Sequence, residues 1–455
     1  MRNDVLTMQA GPDGACAVQG RVHWSPVKSL WWMAMAAGTL MALTTHFSVG
    51  GLLLGLGSTA VTLCLGHSLG MHRRFIHRAF EAALWLERLF VYLGTLVGMA
   101  GPLGMMRTHD LRDWAQRQPQ CHDYFGHRRP FLDDGWWQLH CEIKLDRPPR
   151  FVPPPEIESD TFYRWLERHW LWQQLPWALL FFALGGIGWL LWGVCFRVWV
   201  GVTGHWLIGH FAHRRGHRAW ELQRAAVQGF NVRVPGLGAL GWWITGAISF
   251  GECWHNNHHA FPASSRIGHA AHELDPGWWV LLALRRVGLV GKLALPGDLP
   301  YRPELRPVPG ARSIYPLTLL YDRRCAVCRL EMDELHARDS DSKLRFIDIS
   351  QDGFDAAVWG ATLAELNAVI HARDAHGRAH RGVPALRLAY AAVGRGWVLA
   401  PTGWPVLRPL SDAFYAWFAR HRYGISRLLS PLIEHIAAAR TARHMQRCAG
   451  GVCER

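Results

Sequence analysis

The sequence predicts an all-α integral membrane domain, with four spanning helices plus interfacial helices, followed by a small α/β domain. Half of the 455 residues are hydrophobic, and many lie in long apolar runs in the first half of the chain. Arginines follow these runs, as they do on the cytoplasmic side of membrane proteins. The composition changes after a proline-rich segment, where short apolar strands alternate with a helical pattern.

Four apolar runs are each near the minimum length for a membrane-spanning helix. They form two pairs with short connections, so each pair predicts a helical hairpin that returns the chain to its starting side. Lys28 precedes the first pair, and basic residues such as Arg73 and Arg214 follow the two pairs. This charge pattern predicts a multi-pass protein whose functional segments face the cytoplasm. The predicted spans are residues 30–47, 48–66, 175–193 and 194–212.

Two other apolar stretches are not predicted to span. The stretch 89–106 begins after Glu87 and Arg88 and contains Pro102 near its end, which favours an interfacial or buried helix. The stretch 242–250 is too short to cross a bilayer.

Six prolines between residues 296 and 316 indicate an extended linker. The predicted domains are therefore a membrane domain at 1–295, a linker at 296–314 and a soluble domain at 315–455. The formal net charge is +14, but the basic residues flank apolar runs. The charge therefore indicates a lipid bilayer as the partner and no nucleic acid.

Nineteen of the 26 histidines precede residue 273, many of them beside apolar runs. Ionisable groups at membrane segments are costly enough that a functional role is expected. His72 and His77 are five residues apart, a step of about 140° on an α-helix, so they suit two neighbouring ions or one ion at a distorted helix end. His255, His258 and His259 are separated by steps of three and four, so this trio can converge on a metal centre.

Two further histidines lie on the same predicted side of the membrane. His213 ends the fourth predicted span, and His109 follows the fifth apolar stretch. A single histidine is usually an ordinary core or surface residue, but several clusters on one membrane face are hard to explain in that way. Neutral imidazole suits iron, copper and zinc, so the sequence predicts a metal centre at this face.

The ligand type and the location together indicate the chemistry. An all-imidazole centre at a lipid interface is poorly placed to hydrolyse a water-soluble substrate and well placed to act on an acyl chain. An unactivated methylene has no acidic proton, so side-chain acids and bases alone cannot remove its hydrogen. Iron that uses O₂ can do so, and the protein then positions this cofactor chemistry.

Residues 1–295 resemble the membrane fatty acid desaturase family. The segment Gly70-Met-His72-Arg-Arg-Phe-Ile-His77 is similar to its first histidine box, and Gly251-Glu-Cys-Trp-His255-Asn-Asn-His258-His259-Ala-Phe-Pro262 is similar to its third. His213 resembles an additional ligand of that family. The resemblance implies two non-haem iron ions on the cytoplasmic side. It also implies that O₂ and two electrons place a double bond in a fatty acyl substrate, as acyl-CoA or acyl lipid.

The second histidine box departs from the family pattern H-x-x-H-H. This chain reads His109-Asp-Leu-Arg112-Asp113, so only His109 is retained and Asp113 stands where a histidine ligand would be. A carboxylate also binds iron, which makes Asp113 a candidate ligand. The other candidates in the same segment are His122, His127 and His140. Gly209 likewise replaces the asparagine expected four residues before His213.

Beyond the linker, a Cys-x-x-Cys motif joins a strand predicted at 317–321 to a helix predicted at 328–338. A helix N-terminus lowers the pKa of the first thiol. Cys325 is therefore predicted to be the attacking thiolate and Cys328 the resolving thiol. The spacing also fits half of a zinc site, for which Cys448 and Cys453 are the remaining candidates.

Residues 315–450 resemble the DCC family of thiol-disulfide oxidoreductases, which have a thioredoxin-like fold. The resemblance rests on the order strand, Asp322-Arg-Arg-Cys325-Ala-Val-Cys328, helix, and on His421-Arg-Tyr423. Pro384 follows a hairpin turn predicted at 374–377, so the role of the thioredoxin cis-proline is not assigned to it.

The leading interpretation is a di-iron fatty acyl desaturase fused to a thiol-redox module. A lipid hydroxylase on the same centre, an inactive descendant, and a non-catalytic membrane anchor for the thiol domain are the alternatives. The chain has no Gly-x-Gly-x-x-Gly fingerprint that opens a βαβ unit and no Cys-x-x-Cys-His haem attachment. A separate ferredoxin- or cytochrome-type electron donor is therefore predicted.

Overall fold

The computed structural model of the protein is mostly helical, with its one larger sheet in the C-terminal part. It describes residues 7–11, 14–270, 272–300, 302–308, 314–339, 343–375 and 377–448, with side chains of the last helix described through 434 apart from 432. The chain divides into two compact units. The described residues of the first lie within Met1–Arg233, Ile244–His269 and Glu273–Ala311, and those of the second within Val234–Trp243, Ala270–His272 and Arg312–Arg455.

Helices build most of the first unit. They are α1 Pro26–Thr44, α2 Val49–Val61, which continues as a π-helix over Thr62–Ile76, α3 Leu84–Thr95, α4 Pro102–Arg117, α5 Asp123–Gly126, α6 Phe131–His140, α7 Pro155–Glu158, α8 Thr161–Arg168, α9 Gln174–Leu190, α10 Arg197–Ala212, α11 Gly238–Ile248, which includes residues of both units, α12 His255–Ala260 and α13 Pro276–Arg286.

Short antiparallel strand pairs tie distant parts of the first unit together. The strands are β1 Met8–Gln9, β2 Gly20–Trp24, β3 Glu81–Ala82, β4 Cys141–Leu145, β5 Arg150–Phe151, β6 Trp220–Leu222, β7 Val290–Gly291 and β8 Leu305–Pro307. The pairs are β1–β5, β2–β4, β3–β7 and β6–β8.

Two helices among the described residues are long and apolar enough to cross a membrane, Val49–Ile76 and Leu171–Ala212. The 19-residue α1 is close to the required length and contains Lys28. Large apolar side chains are exposed on these helices: Leu40, Leu53, Leu179 and Leu184 are between 61% and 64% exposed. An exposed apolar surface of this kind is expected where helices contact lipid, and it supports association with a membrane.

The predicted turn between the third and fourth spans is displaced. The sequence places it at 193–194, but the chain reverses at Gly185 and Gly186, where Gly186 has a φ of 66° that favours glycine. The reversal brings Gln174 Oε1 within 2.5 Å of Arg197 Nη2. The apolar helix Leu171–Ala212 is therefore divided into two arms at these glycines, and the predicted boundaries 175–193 and 194–212 are wrong in this respect.

The fifth apolar stretch does not form one long helix. It is divided between α3 and α4 by a turn that includes Gly98 at a φ of 84°. Glycines let α3 approach the π-helix closely, since a Cβ at Gly70 would lie 2.6 Å from the carbonyl oxygen of Phe90. The prediction of a buried or interfacial helix at 89–106 agrees with this packing.

Part of the proline-rich segment is ordered on the first unit. Strand β8 pairs with β6, with Leu305 opposite Leu222 and Pro307 opposite Trp220. Arg302 Nη1 also donates to the carbonyl oxygens of His259 and Ala260, at 3.0 Å each. The sequence predicts an extended linker here, and residues 305–307 of this segment form an extended strand paired with β6.

The second unit contains a four-stranded sheet flanked by helices. The strands are β9 Leu317–Tyr321, β10 Leu344–Asp348, β11 His371–Arg373 and β12 Ala379–Arg381. The helices are α14 Ala326–Arg338, α15 Leu363–Ala368, α16 Val383–Ala392, α17 Gly396–Leu399 and α18 Arg408–Cys448. The order is β10-β9-β11-β12, with β10 parallel to β9 and the other pairs antiparallel. This is the arrangement expected of a thioredoxin-like domain.

The strand and turn positions predicted from the sequence of the second unit agree with the observed sheet. Strand β9 occupies the residues predicted for it, and the hairpin between β11 and β12 turns at the predicted segment, with Gly377 at a φ of 80°. Pro384 lies in the first turn of α16, after the hairpin. Leu317, Leu319 and Ala385 are buried in the core between the sheet and the helices.

Candidate functional site

The π-helix places the two histidines of the first motif on one side. His77 N donates to the carbonyl oxygen of His72 at 3.1 Å, a bond between residues five apart. A π-helix has this hydrogen-bond spacing, so residues five apart lie nearly above one another. Their ring centroids are 5.0 Å apart. The spacing of His72 and His77 suited either two neighbouring ions or one ion at a distorted helix end. The structure has both rings together at a distorted helix end.

Four histidines from three elements form what we call the first histidine group: His72, His77, His109 and His258. His109 comes from α4 and His258 from α12. His72 Nε2 and His258 Nε2 are 3.2 Å apart. One potential ligand atom from each residue lies within 4.8 Å of those of the others.

The third motif is divided between two groups. His213, at the end of α10, His255 and His259 form the second histidine group. The three Nε2 atoms are 3.0 to 3.4 Å from one another. Residues three and four positions after His255 lie on opposite sides of its direction on a helix. His258 therefore points to one group and His259 to the other, so the trio predicted to converge on a metal centre is shared between two adjacent groups.

The two histidine groups have the geometry and chemistry of metal sites. Nitrogens bound about 2.1 Å from one ion at adjacent positions are roughly 3.0–3.4 Å apart. The three Nε2 atoms of the second group and the His72–His258 pair of the first have this spacing. His77 Nε2 is buried and has no hydrogen-bond partner among the described residues. Burial lowers the pKa of His259 to about 4, so this imidazole is neutral at pH 7 and has a free lone pair.

Acceptor oxygens orient three of these rings. Glu252 Oε2 lies 2.8 Å from His72 Nδ1, and Asp110 Oδ1 lies 3.0 Å from His109 Nδ1. His213 Nδ1 lies 2.7 Å from the carbonyl oxygen of Gly209. Each acceptor favours the proton on Nδ1 and leaves Nε2 unprotonated toward the group, as outer partners of metal-binding histidines do. Ser68 Oγ in turn donates to Glu252 at 2.6 Å.

Substituting Glu252 with glutamine is expected to lower the iron affinity of the first histidine group by about 10- to 100-fold. The amide no longer holds the His72 proton as a carboxylate does. Iron retained against increasing chelator measures the effect without reference to activity. The exposed Glu158→Gln is the matched control, and equal iron retention by both variants would contradict a role for Glu252 in holding His72.

The two asparagines of the third motif hold the backbone. Asn256 accepts from the N–H groups of Ala219 and Trp220, and Asn257 Nδ2 donates to Glu273 at 2.7 Å. Asn231 Oδ1 accepts from Asn256 N at 2.9 Å. These bonds fix α12 against the neighbouring segments, so the asparagines position the histidine helix and bind none of its rings.

Asp113 does not join either histidine group. Its carboxylate lies 3.5 Å from Arg117 Nη2 on the same helix. Burial alone would raise the pKa of Asp113, but the charges of His109 and Arg117 hold it below the ordinary value. The carboxylate is thus ionised beside the groups, and the sequence-based choice of Asp113 as a ligand stays a prediction.

Three other histidines are candidates to replace the missing residues of the second box. Two of them form hydrogen bonds away from the histidine groups, and the third lies beside one group. His122 Nδ1 accepts from Tyr124 N, and His140 Nδ1 bonds to Ser29 Oγ at 2.9 Å. The ring of His127 stacks on His213, with centroids 5.3 Å apart. Of the three, His127 is therefore the candidate beside a group.

His127 belongs to a buried cluster that the sequence analysis missed. Asp134 Oδ2 contacts His127 Nδ1 at 2.9 Å and His210 Nδ1 at 2.7 Å, and it accepts from Trp206 Nε1 at 2.9 Å. Arg112 Nη1 lies 2.5 Å from His127 Nε2. The available signal was the position of His210, three residues before His213. Its partner Asp134 is far away in sequence and gave no comparable signal.

A buried ion pair connects the histidine helix to its surroundings. Arg73, between the two histidines of the first motif, forms a bidentate pair with Asp275, at 2.8 and 3.0 Å. Arg73 also donates to the carbonyl oxygens of Ser265 and Phe250. Asp275 accepts from Ile267 N at 2.8 Å. The pair fixes the loop after the third motif to the π-helix.

The second unit holds the dithiol motif at the start of α14. Cys325 is the N-cap residue, and its sulfur accepts from Cys328 N at 3.3 Å. A hydrogen bond from the Cys328 thiol, more than any other factor, lowers the pKa of Cys325 to about 6, while the pKa of Cys328 is raised. Cys325 is fully buried and Cys328 is partly exposed. The thiolate is therefore the inner sulfur.

Helix α18 supplies partners to this dithiol site. Ser426 Oγ accepts from Ala326 N at 2.6 Å. Tyr423 OH donates to Asp322 Oδ2, and Arg422 Nη2 lies 3.5 Å from the same oxygen. Arg422 and Tyr423 belong to the His421-Arg-Tyr423 motif. Its contact with the Asp322 motif, about a hundred residues earlier, emerges only on folding.

The fraction of Cys325 present as thiolate is expected to rise with pH with a midpoint near 6, since the pKa of this thiol is about 6. The thiolate absorbance falls below this pH and reaches a plateau above it. Ultraviolet absorbance, compared with that of Cys325→Ser, measures the thiolate without requiring a reagent to reach the buried sulfur. In Cys328→Ala the donating thiol is gone, so the midpoint moves toward the ordinary value of 9.0. A midpoint above 8 in the unaltered chain would contradict the assignment of the thiolate.

The zinc alternative combines Cys325 and Cys328 with Cys448 and Cys453. Cys325 and Cys328 are free thiols. The Cys448 side chain and the whole of Cys453 lie outside the described residues.

Paired histidine groups on a helical scaffold with exposed apolar helices are typical of membrane-associated metalloenzymes, and comparisons identify the family. The chain is 30% identical over 288 residues to the sn-1 stearoyl-lipid 9-desaturase of Anabaena variabilis, covering 62% of this chain and 97% of that protein. It is 30% identical over 329 residues to the chloroplastic palmitoyl-monogalactosyldiacylglycerol delta-7 desaturase of Arabidopsis thaliana, covering 66% and 81%. An acyl-CoA 5-desaturase of Anemone leveillei is 28% identical over 259 residues, covering 56% and 74%.

The chain belongs to the fatty acid desaturase family, whose members are oxidoreductases. Residues 319–428 match a family model, that of the DCC1-like thiol-disulfide oxidoreductase. Both resemblances drawn from the sequence motifs are thereby confirmed.

Proposed function

We propose that the protein inserts a double bond into a long-chain fatty acyl substrate, as acyl-CoA or acyl lipid, with O₂ and two non-haem iron ions. The observation that carries this proposal is the division of seven histidines from separate elements into two adjacent groups. When bound, iron supplies the O₂-dependent removal of two hydrogens from an unactivated chain. The family relatives include both lipid and acyl-CoA desaturases.

The first histidine group would hold one iron and the second histidine group the other. The ring centroids of His258 and His259 are 5.9 Å apart, so one short helix would connect the two ions. Glu252 and Asp110 hold protons on Nδ1 of their histidines and leave Nε2 toward the metal. Asp113 is a carboxylate beside both groups. It is proposed to complete the ligand set where the second histidine box differs from the family pattern.

The second histidine group has one imidazole fewer than the first. A metal with three protein ligands keeps a position for water or substrate, as in catalytic zinc sites. The buried positions of His213 and His259, at 8% and 7% exposure, limit access of bulk water to that position. This difference between the groups is proposed to direct exogenous ligands to the second one.

The proposed topology has four spans, with both histidine groups on the cytoplasmic side. The proposed domains are the membrane domain at 1–295, the linker at 296–314 and the redox domain at 315–455. Cys325 and Cys328 are proposed to carry thiol-disulfide exchange. The two electrons for each double bond are proposed to come from a separate ferredoxin- or cytochrome-type protein.

Lipid profiling of cells with and without the protein tests the reaction. Acyl chains that are lighter by two mass units, and only when O₂ is present, are the expected result. Purified protein is expected to contain two iron ions per chain. Acyl chains with an added oxygen would support the hydroxylase alternative instead, and an unchanged profile with iron-free protein would overturn the proposal.

A further inference from the structure

The second unit contains an apolar cavity beside the dithiol. Its volume is about 270 Å³. Helices α14, α16 and α18 and the end of β9 enclose it, and Cys328 lies in its wall while Cys325 does not. Met332, Tyr390, Tyr415 and Phe418 supply apolar and aromatic lining. A molecule in this cavity would therefore contact the partly exposed sulfur of the pair.

One buried cation in the wall is incompletely paired. Arg422 is 6% exposed, and its Nε has no hydrogen-bond partner among the described residues. Its Nη2 donates to Tyr423 OH at 3.0 Å and to Asn367 Oδ1 at 3.3 Å. A buried N–H without an acceptor is costly. The position therefore calls for a ligand with an acceptor oxygen.

The charge of the wall selects a neutral ligand. Asp322 and Glu331 line the same cavity as Arg422, so two carboxylates accompany one guanidinium. A fatty acid or another carboxylate would meet this excess of negative charge. A carbonyl oxygen accepts a hydrogen bond without adding charge, which suits a neutral apolar carbonyl compound.

The volume of the cavity limits the size of the ligand. A dry cavity of about 150 Å³ takes a benzene molecule, so the present one takes a substituted six-membered ring. A long acyl chain would not be enclosed. Aromatic side chains such as Tyr415 and Phe418 favour a flat ring over a flexible chain.

We propose that this cavity binds a quinone, a neutral ring with two carbonyl oxygens, and that the quinone oxidises the dithiol. The inference rests on the thiol-redox activity proposed above. The S–H bond of Cys328 breaks and an S–S bond forms between its sulfur and the Cys325 thiolate. Two electrons pass to the quinone together with the Cys328 proton and one proton from solvent, and the carbonyl oxygens of the quinone become the hydroxyl groups of the quinol.

Duroquinone is the probe, because its ring carbons are all methylated and thiols do not add to them. The full chain in detergent, reduced and free of O₂, is mixed with increasing duroquinone. The expected result is one duroquinol per chain, a disulfide between Cys325 and Cys328 by peptide mass spectrometry, and a rate that saturates. A rate that rises linearly without saturation would overturn the proposal, because no bound complex would then precede the reaction.

Two cavity-filling variants isolate the site. Ala419 and Leu386 line the cavity on different helices, so Ala419→Phe and Leu386→Phe are each expected to slow the duroquinone reaction at least tenfold. Ala416→Phe, at an exposed position on the same helix as Ala419, is the matched control and keeps the full rate. Unchanged rates in both filled variants would overturn the proposal.

Oxidised glutathione, a polar disulfide, separates the quinone site from the dithiol itself. It is expected to oxidise the unaltered chain and all three variants at similar rates, and circular dichroism with thermal unfolding checks that the variants are folded. Reaction with glutathione disulfide but not with duroquinone in the unaltered chain would overturn the quinone site alone. Failure of both oxidants would overturn the proposed thiol activity and the quinone inference with it.

Discussion

Replacing His258 with alanine is expected to abolish desaturation and to lower the iron content from two ions per chain toward one. His258 comes from the helix that also supplies two rings to the other group, and its Nε2 lies 3.2 Å from His72 Nε2. Loss of this nitrogen leaves the first histidine group with three imidazoles. Since even outer partners contribute about 10- to 100-fold in affinity or activity, a direct ligand is expected to contribute more.

His169→Ala is the control for that variant. His169 lies in the same unit but outside both groups, and its Nδ1 contacts the carbonyl oxygen of Trp165 in its own helix. Iron analysis and lipid mass spectrometry on the two proteins give the comparison. Full desaturation by His258→Ala would contradict the di-iron proposal. If a cellular phenotype persists in His258→Ala but disappears in Cys325→Ser, the anchor alternative is supported instead.

Substituting Asp275 with alanine is expected to destabilise the first unit by about 3–5 kcal/mol, the range for breaking a buried ion pair. Arg73 and Asp275 are 1% and 2% exposed. The change leaves a guanidinium buried without its counterion and removes the acceptor for Ile267 N. Thermal unfolding in detergent and retained iron measure the effect, because this pair holds the loop beside the third motif.

A double variant tests the cause. Arg73→Met with Asp275→Leu removes both charges and is expected to be more stable than Asp275→Ala alone, because no unpaired charge remains. The exposed pair of Lys292 and Glu81, at 80% and 59% exposure, supplies the control, and Glu81→Ala is expected to change the unfolding midpoint little. Equal loss in Glu81→Ala and Asp275→Ala would contradict the buried-pair argument.

Much of the candidate site could be predicted from local spacing. Short segments contain the metal-binding residue types, the Cys-x-x-Cys before a helix and the hairpin turn at 374–377. The structure of such segments follows local rules. The position of the turn in the second apolar pair was wrong because apolar character continues through Gly185 and Gly186. Their backbone conformation, not their hydrophobicity, reverses the chain.

The sharing of His255, His258 and His259 between two groups depends on where other elements lie. Helical spacing gives the directions of the three rings relative to α12, but His72 and His213 decide which ring meets which group. Likewise, His72 and His77 meet through a π-helix, whose hydrogen-bond spacing a five-residue step alone does not reveal.

The sequence by itself determined the family, the two kinds of chemistry and all seven residues that gather in the two histidine groups, because motifs encode ligand type and order along a chain. Tertiary structure alone decided how those ligands divide, that Asp134 holds His127 and His210, and that Arg422 meets Asp322 of the dithiol motif. These contacts join residues far apart in sequence. Their distances follow from packing between elements, which one-dimensional spacing does not contain.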